Sequence, residues 1–460
     1  MKILLAYPKM KYVTGDPPLG IAYLASYIIE RGYEVKILDT TFNHSWNFVE
    51  KTIRKEKPDI LGIYSATTMI KDALKTADIG KAGGVPLVVL GGPHPSMRPE
   101  ETLNHKSVDA VVVGEGEYSF HKIVQTFEET GDTRKFSKIP NVYFKLNGKI
   151  KRNKERYFIK NLDTIPFPAR ELLDMGNYIK HWFQMDVVSP GLKGTAIFTS
   201  RSCPYNCTFC QPTVNRMFGN IIRRRSPENI IEELKHLKKK YKINAFQIYD
   251  DIFLIDSNYI ESFCNKLMEE DLGLLWTCHG RVNILFEEKL VKKMHAAGLR
   301  SVGIGIESGS QRIVDMYKKG INLNQVKKAI KSFRKHGIKI RGFFIMGAPT
   351  ETVKEMKKTI HFAVNSRIDE GVFSILCPFP GTYIYEMAKE RGWEISEEWD
   401  PDFYYSRSGF KSGTLPEKLI KRYQQLAMLL FYFHPFRARY LLNSLFNPRR
   451  SLAKIKTYFI

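Results

Sequence analysis

The sequence predicts an α/β protein. A doubly wound, Rossmann-like parallel-sheet domain over residues 1–135 is followed by a connector over 136–190. A partial (βα)6 barrel over 191–390 and a mainly helical extension over 391–460 complete the chain. Three observations carry this reading. Short β-branched runs alternate with helix-like stretches in two separate series, and such alternation builds parallel sheets with helices packed on them. A chain of 460 residues is too long for one ordinary domain. Its 43% hydrophobic and 26% charged residues give real cores and exclude a disordered tail.

In the first series Lys2–Tyr7 reads as a strand, Leu19–Arg31 as an amphipathic helix and Tyr33–Asp39 as a second strand. Asp59–Ser65, Pro86–Gly91 and Val108–Gly114 are further short apolar runs with helical segments between them. A doubly wound sheet binds its ligand at the C-terminal ends of the strands. The residues there are Pro17, Pro18 and Gly20, then Ser65, Ala66, Thr67 and Thr68. Gly91, Gly92, Pro93 and His94 follow, then Gly114, Glu115, Gly116 and Glu117. Glycines at such ends let a large flat ligand approach the backbone, and they equally suit ordinary βα turns.

Between the two series, the basic run Lys149–Arg156 and the prolines Pro166 and Pro168 mark a connector. The second series offers Thr195–Ser200, Ala245–Tyr249, Leu274–His279, Ser301–Ile306, Ile340–Met346 and Gly371–Leu376 as strands. Helical segments such as Pro227–Lys239 and Leu323–His336 separate them. Barrel active sites lie at the C-terminal strand ends. Cys377 falls at one such end, where it could line the pocket or donate hydrogen, or simply be buried. Arg223-Arg224-Arg225 reads either as a clamp for an anionic substrate or as the approach to a helix started by Ser226-Pro227.

The chemistry is in the cysteines. Cys203-Pro-Tyr-Asn-Cys207-Thr-Phe-Cys210 spaces three of the chain's six cysteines at x3 and x2 directly after the first strand of the second series. By chance this spacing arises in roughly one such chain in a thousand. Three thiolates on one tight loop can hold one face of an iron–sulfur cube, leaving one iron open. The alternative is structural zinc, which needs four ligands, and no second pair of cysteines exists.

The motif resembles the radical SAM superfamily, whose Cys-x3-Cys-x2-Cys signature carries an aromatic just before its last cysteine, here Phe209. The resemblance implies a [4Fe-4S] cluster on Cys203, Cys207 and Cys210, with S-adenosylmethionine on the open iron. An electron supplied by a donor such as ferredoxin or flavodoxin then splits the sulfonium, giving a 5′-deoxyadenosyl radical that abstracts hydrogen from an unactivated carbon. Acid–base side chains cannot perform that step, so a cofactor must. Gly303-Ile-Gly-Ile-Glu307-Ser308-Gly309 resembles the family's fourth-strand pattern, which implies that Glu307 contacts the ribose and that Ser308 helps to bind S-adenosylmethionine. Gly342-Phe-Phe-Ile-Met-Gly347-Ala-Pro-Thr-Glu351 resembles the fifth-strand pattern that frames adenine near Gly347. Pro378-Phe-Pro-Gly381-Thr382 follows the sixth strand as in many members. Tyr249-Asp250-Asp251 stands where many members have Gly-Gly-Glu, so Asp250 or Asp251 would meet the methionine amine.

Pro17-Pro18-Leu19-Gly20-Ile21-Ala22-Tyr23-Leu24, Gly91-Gly92-Pro93-His94 and Gly114-Glu115-Gly116-Glu117 resemble the N-terminal domain of cobalamin-binding radical SAM enzymes. Gly20, Ser65, Thr67, Gly91, Gly92, Gly114 and Glu115 are then the expected cobalamin contacts. The histidine-ligating Asp-x-His-x-x-Gly motif is missing, so the cofactor is expected base-off, with His94 a pocket or turn residue. The resemblance implies cobalamin-dependent methylation of an unactivated carbon. Oxidative ring cyclisation is the alternative enzyme reading, and a cobalamin-binding sensor or carrier the non-enzymatic one.

The net charge of +23 permits an anionic partner without choosing among nucleic acid, lipid surface and phosphorylated substrate. Transfer RNA methylthiolation fits poorly, because those enzymes carry three more N-terminal cysteines and residues 1–202 here contain none. Nucleic acid is therefore not expected as a partner. A small-molecule or lipid substrate is. Pro8 interrupts any signal-peptide core, and no apolar run approaches the ~20 residues of a membrane span, so a cytoplasmic protein is expected. From Tyr423 to Ile460 aromatics and leucines alternate with Arg437, Arg439, Arg449, Arg450, Lys454 and Lys456, which suits peripheral contact with the inner face of the membrane.

Overall fold

The computed structural model describes residues 1–153, 155–282, 287–399, 410–411 and 415–437. Two parallel sheets dominate. In the first, β1 (Lys2–Tyr7), β2 (Glu34–Asp39), β3 (Ile60–Tyr64), β4 (Leu87–Gly91) and β5 (Ala110–Val112) pair in parallel in the order β2-β1-β3-β4-β5. The reversal between β1 and β3 makes the switch point where doubly wound folds bind ligands. Apolar clusters cover both faces, as a sheet read from unbroken Val/Ile/Leu runs requires.

The sheet does not end near residue 135. The hairpin β6 (Val142–Leu146) and β7 (Lys149–Arg152) adds antiparallel to β5, so the basic run begins as an edge strand. Its turn is Asn147-Gly148, both at positive φ (50° and 72°), the geometry that two-residue hairpins demand.

The second sheet joins six parallel strands, and its order across the sheet, from the last strand in the chain to the first, runs in strict sequence. These are β8 (Gly194–Ile197), β11 (Ala245–Ile248), β12 (Leu275–Gly280), β13 (Leu299–Glu307), β14 (Lys339–Met346) and β15 (Glu370–Ile375). The short pair β9 (Ser200–Arg201) and β10 (Arg223–Arg224) closes the loop that carries the cysteines. The largest apolar core lies between this half-barrel and its outer helices. Trp182 of the connector plugs the barrel floor. A Cβ on Gly194 would stand 2.3 Å from its ring, so only glycine fits there.

Helix Glu417–Tyr432 packs on β15 and ends in a buried anchor. Arg437 is 2% exposed and donates to the carbonyls of Ile368, Val364, Phe431, Ala363 and Ser366. It is thus not the membrane-facing cation the tail pattern suggested. Arg439, Arg449, Arg450, Lys454 and Lys456 lie outside the described residues. Among the described residues, no helix is long and apolar enough to cross a membrane.

Candidate active site between the two sheets

The C-terminal strand ends of the two domains face one another, and ion pairs hold them together. Glu115, 2% exposed at its side chain, accepts from Arg223 at 2.5 and 3.1 Å and from the Ile159 N–H at 2.9 Å. Glu117 accepts from Arg201 at 2.5 and 3.3 Å, and Arg201 also stands 3.4 Å from Glu115. Burial raises the cost of each lone charge, and the opposite charge offsets it. The result fixes the β5 loop against the base of the cysteine loop.

This arrangement absorbs two of the expected site features. The Glu115 carboxylate is committed to Arg223 and Arg201 across the domains rather than open to a cofactor. The arginine triplet is not an anion clamp. Arg223 holds Glu115, Arg224 lies 3.4 Å from Asp256, and Arg225 joins Arg170 in flanking the fully buried Glu233. Gly114 also serves the docking. At φ 84° its added Cβ would meet the Met217 carbonyl at 2.8 Å.

The cysteine loop leaves β9 through Ser202, whose positive φ is held by its hydroxyl on the Gly219 carbonyl at 2.6 Å. Cys207 is buried, and Cys203 and Cys210 are half-buried. The Cys207 carbonyl accepts from the Cys210 and Gln211 N–H groups, which turns the chain so that the cysteines share one side. Burial pushes the Cys210 thiol up to about 12, with Asp251, Cys203 and Cys207 adding to it. Among the described residues no three potential ligands stand close enough to hold a single ion. A cube places each cysteine on a different iron, so its sulfurs stand farther apart than the ligands of one ion. Three thiols on one tight loop, with no fourth cysteine beside them, fit that group.

Glu307 ends β13 at a register shift, with φ 67°, so its carboxylate turns into the mouth of the barrel and pairs with Lys319 at 2.6 Å. A Cβ on Gly305 would fall 2.5 Å from that carboxylate, so the glycine keeps the space clear. Ser308 faces away. Its hydroxyl lies 3.0 Å from the Thr359 hydroxyl and accepts from the Ser310 N–H, which makes it a support for the turn rather than the expected S-adenosylmethionine contact. Gly347, at φ 82°, donates its N–H to Glu351 at 2.7 Å.

The two aspartates divide. Asp250 accepts from the Thr199 N–H and hydroxyl and from the Ser200 hydroxyl, which ties it into the β8 end. Asp251 makes none of these bonds; it is solvent-exposed, and its charge acts on both Cys203 and Cys210. The protein packed around it and then the charge of Asp250 lift its carboxyl to about 6. Cys377 is closed into an apolar cluster with Ile70, Tyr385 and Trp399, so it does not face the site.

On the N-terminal side, Gly20 is exposed, with nothing within 4 Å of an added Cβ. Ser65 is fully buried, its N–H on the Gly91 carbonyl, and Thr67 is 9% exposed. Gly92, at φ 107°, lies so near the Ser65 carbonyl that a Cβ would approach it to 2.9 Å. Gly91 has room, its nearest neighbour being the Val112 carbonyl at 3.8 Å. His94 is 1% exposed, both ring nitrogens lack a hydrogen-bond partner, and burial lowers it to about 4. Tyr249, just past β11, is 42% exposed although the strand residues before it are buried.

Sequence reasoning missed Arg201, Arg281, Lys319, His279 and Arg341. A signal existed for the last two. His279 and Arg341 are polar residues inside mostly apolar strands, on the alternate positions that face the barrel lumen. Arg341 bonds Glu370 and Gln184, and His279 packs edge-on against Phe343.

Comparison with known proteins agrees with this geometry. The Radical SAM superfamily profile matches residues 197–363, and the B12 binding domain profile matches residues 12–124. The chain belongs to the radical SAM superfamily, in the group that carries a cobalamin-binding domain. It is 37% identical over 408 residues to a Pyrococcus horikoshii protein called uncharacterized methyltransferase PH0819, covering 87% of this chain and 85% of that one. It is 29% identical over 397 residues to the anaerobic magnesium-protoporphyrin IX monomethyl ester cyclase of Rubrivivax gelatinosus, covering 84% and 70%. In fold it is similar to the radical S-adenosylmethionine methyltransferase TsrM of Kitasatospora setae, solved with cobalamin and a [4Fe-4S] cluster bound. That match has a TM-score of 0.73 at 16% identity and covers 94% of this chain and 88% of that one.

Proposed function

We propose that this protein is a cobalamin-dependent radical SAM methyltransferase acting on an unactivated carbon of a small-molecule substrate. The observation that carries the reading is the placement of the three-cysteine loop. It opens toward the C-terminal strand ends of the cobalamin-type sheet, and the Glu115–Arg223 and Glu117–Arg201 pairs hold it there. With both groups bound, the cluster and cobalamin would supply one-electron cleavage and methyl carriage.

The chain's own residues would do the rest. Cys203, Cys207 and Cys210 bind the cluster. Glu307 orients the ribose, and Gly347 shapes the turn beside the adenine. Of the two aspartates, Asp251 is the one free to accept from the methionine amine. Gly20, Ser65, Thr67, Gly91 and Gly92 line the cobalamin side, with no histidine on cobalt. An electron donor of the ferredoxin or flavodoxin type serves the cluster. The test is incubation of the reconstituted protein with S-adenosylmethionine labelled in its methyl group and with extract of the native organism. Label in a carbon-bound methyl of one metabolite supports the reading. Release of 5′-deoxyadenosine with an unlabelled, newly ringed product favours the cyclase type.

The protein is read as cytoplasmic, with peripheral membrane contact through helix Glu417–Tyr432. The exposed face of that helix runs from Lys418 and Arg422 to Leu426, Leu429, Leu430 and Phe433, the last 72% exposed. From residue 418 to the end, apart from the buried Arg437, the sequence carries eight cations and no acid. Basic residues beside an apolar stripe suit an anionic leaflet. Flotation with anionic liposomes at low salt tests it, and protein left at the bottom of the gradient ends the idea.

A further inference from the structure

We infer that Arg281 tunes the cluster by donating a hydrogen bond to the sulfur of Cys207, so that the three cysteines are electrically unequal. The inference rests on the proposed cluster assignment. Arg281 follows β12 directly and is 8% exposed. Its Nη1 lies 3.1 Å from Cys207 Sγ. Its guanidinium also stacks on Tyr205, 3.6 Å from the ring centroid, two residues before that cysteine. The strand end beneath it is pinned, because Gly280 bridges to Leu254 and an added Cβ there would sit 2.8 Å from that leucine. The cation is therefore delivered to the loop from a rigid barrel strand.

The other two cysteines meet different charges. Asp251 acts on both Cys203 and Cys210, the Arg281 charge also reaches Cys203 without a hydrogen bond to it, and Lys319 acts on Cys210 while paired with Glu307. Cys207 is the cysteine whose sulfur takes a guanidinium donor. An N–H directed at a cluster sulfur, and a permanent positive charge beside it, favour the state with one more electron. Burial keeps that interaction from being screened by salt. Arg281 is thus a positioning and tuning residue, and it makes the cluster easier to reduce.

The test is an EPR-monitored redox titration of the reconstituted full-length protein without S-adenosylmethionine, with iron and sulfide content measured on each sample. Arg281→Met should hold a full cluster with a more negative potential than wild type. Arg281→Lys, which keeps the charge but not the planar fork, should fall between. A fully loaded Arg281→Met with the wild-type potential overturns the inference. Loss of the cluster in Arg281→Met, Arg281→Lys and Arg281→Gln alike also overturns it, because Arg281 would then be scaffold for the loop. Wild-type protein that takes up no cluster sinks the cluster assignment itself, a different failure.

Discussion

Replacing Glu115 by alanine should loosen the two domains from one another. The carboxylate is 2% exposed, takes two bonds from Arg223 and one from the Ile159 N–H, and stands 3.4 Å from Arg201. Removing it leaves buried guanidinium charge without its partner, which costs about 3–5 kcal/mol. At about 2–4 °C per kcal/mol for a domain of this size, the melting temperature should fall by about 6–20 °C. Differential scanning calorimetry reads that shift, and urea unfolding reads the free energy. The double variant Glu115→Ala/Arg223→Met is the control. Once the stranded cation is gone, it should recover at least ~1 kcal/mol relative to the sum of the single changes. A loss below ~1 kcal/mol in Glu115→Ala, or strict additivity in the double variant, would refute the clamp.

Further outcomes follow from the same geometry. Cys203→Ala should fail to hold a full redox-active cluster on anaerobic reconstitution, as iron and sulfide analysis would report. Glu307→Ala should weaken S-adenosylmethionine binding by about 1.5–3 kcal/mol, the worth of hydrogen bonds to a charged group, and wild-type affinity by calorimetry would count against its role. His94→Ala should leave the absorption spectrum of bound cobalamin base-off and unchanged, since no ring nitrogen is engaged and burial keeps the ring neutral. Burial lifts the Glu351 carboxyl to about 7, against the pull of the Ala348 and Gly347 N–H groups. The folded state therefore holds this proton more tightly than the unfolded one, and stability falls as pH rises from about 4.5 to 7. Glu351→Gln should then exceed wild type in stability at pH 8 by roughly 3 kcal/mol. The gap should close near pH 5, and an equal gap at both pH values would contradict it.

Much of the architecture is legible in the sequence because strand period and helix period differ, and parallel strands read as apolar runs. The cysteine loop is legible because its chemistry is local. Other features fail for physical reasons. The hairpin Val142–Arg152 carries the strongest short-range turn signal, Asn147-Gly148, yet its edge strand is basic, so composition points to a connector. The arginine partners of Glu115 lie more than 80 positions away, and pairing at that separation leaves no mark in the sequence. Arg437 reads as a surface cation until the carbonyls it caps are seen.

The central claim is that one protein uses S-adenosylmethionine both as radical source and as methyl donor through cobalamin. The most direct measurement is the pair of nucleoside products formed by full-length protein reconstituted with cluster and cobalamin, under a strong reductant and without oxygen. The account predicts both 5′-deoxyadenosine and S-adenosylhomocysteine. The first should be lost in Cys203→Ala, and the second when cobalamin is withheld. Protein that carries a full cluster and bound cobalamin, yet yields neither product or forms S-adenosylhomocysteine equally well without cobalamin, would contradict it.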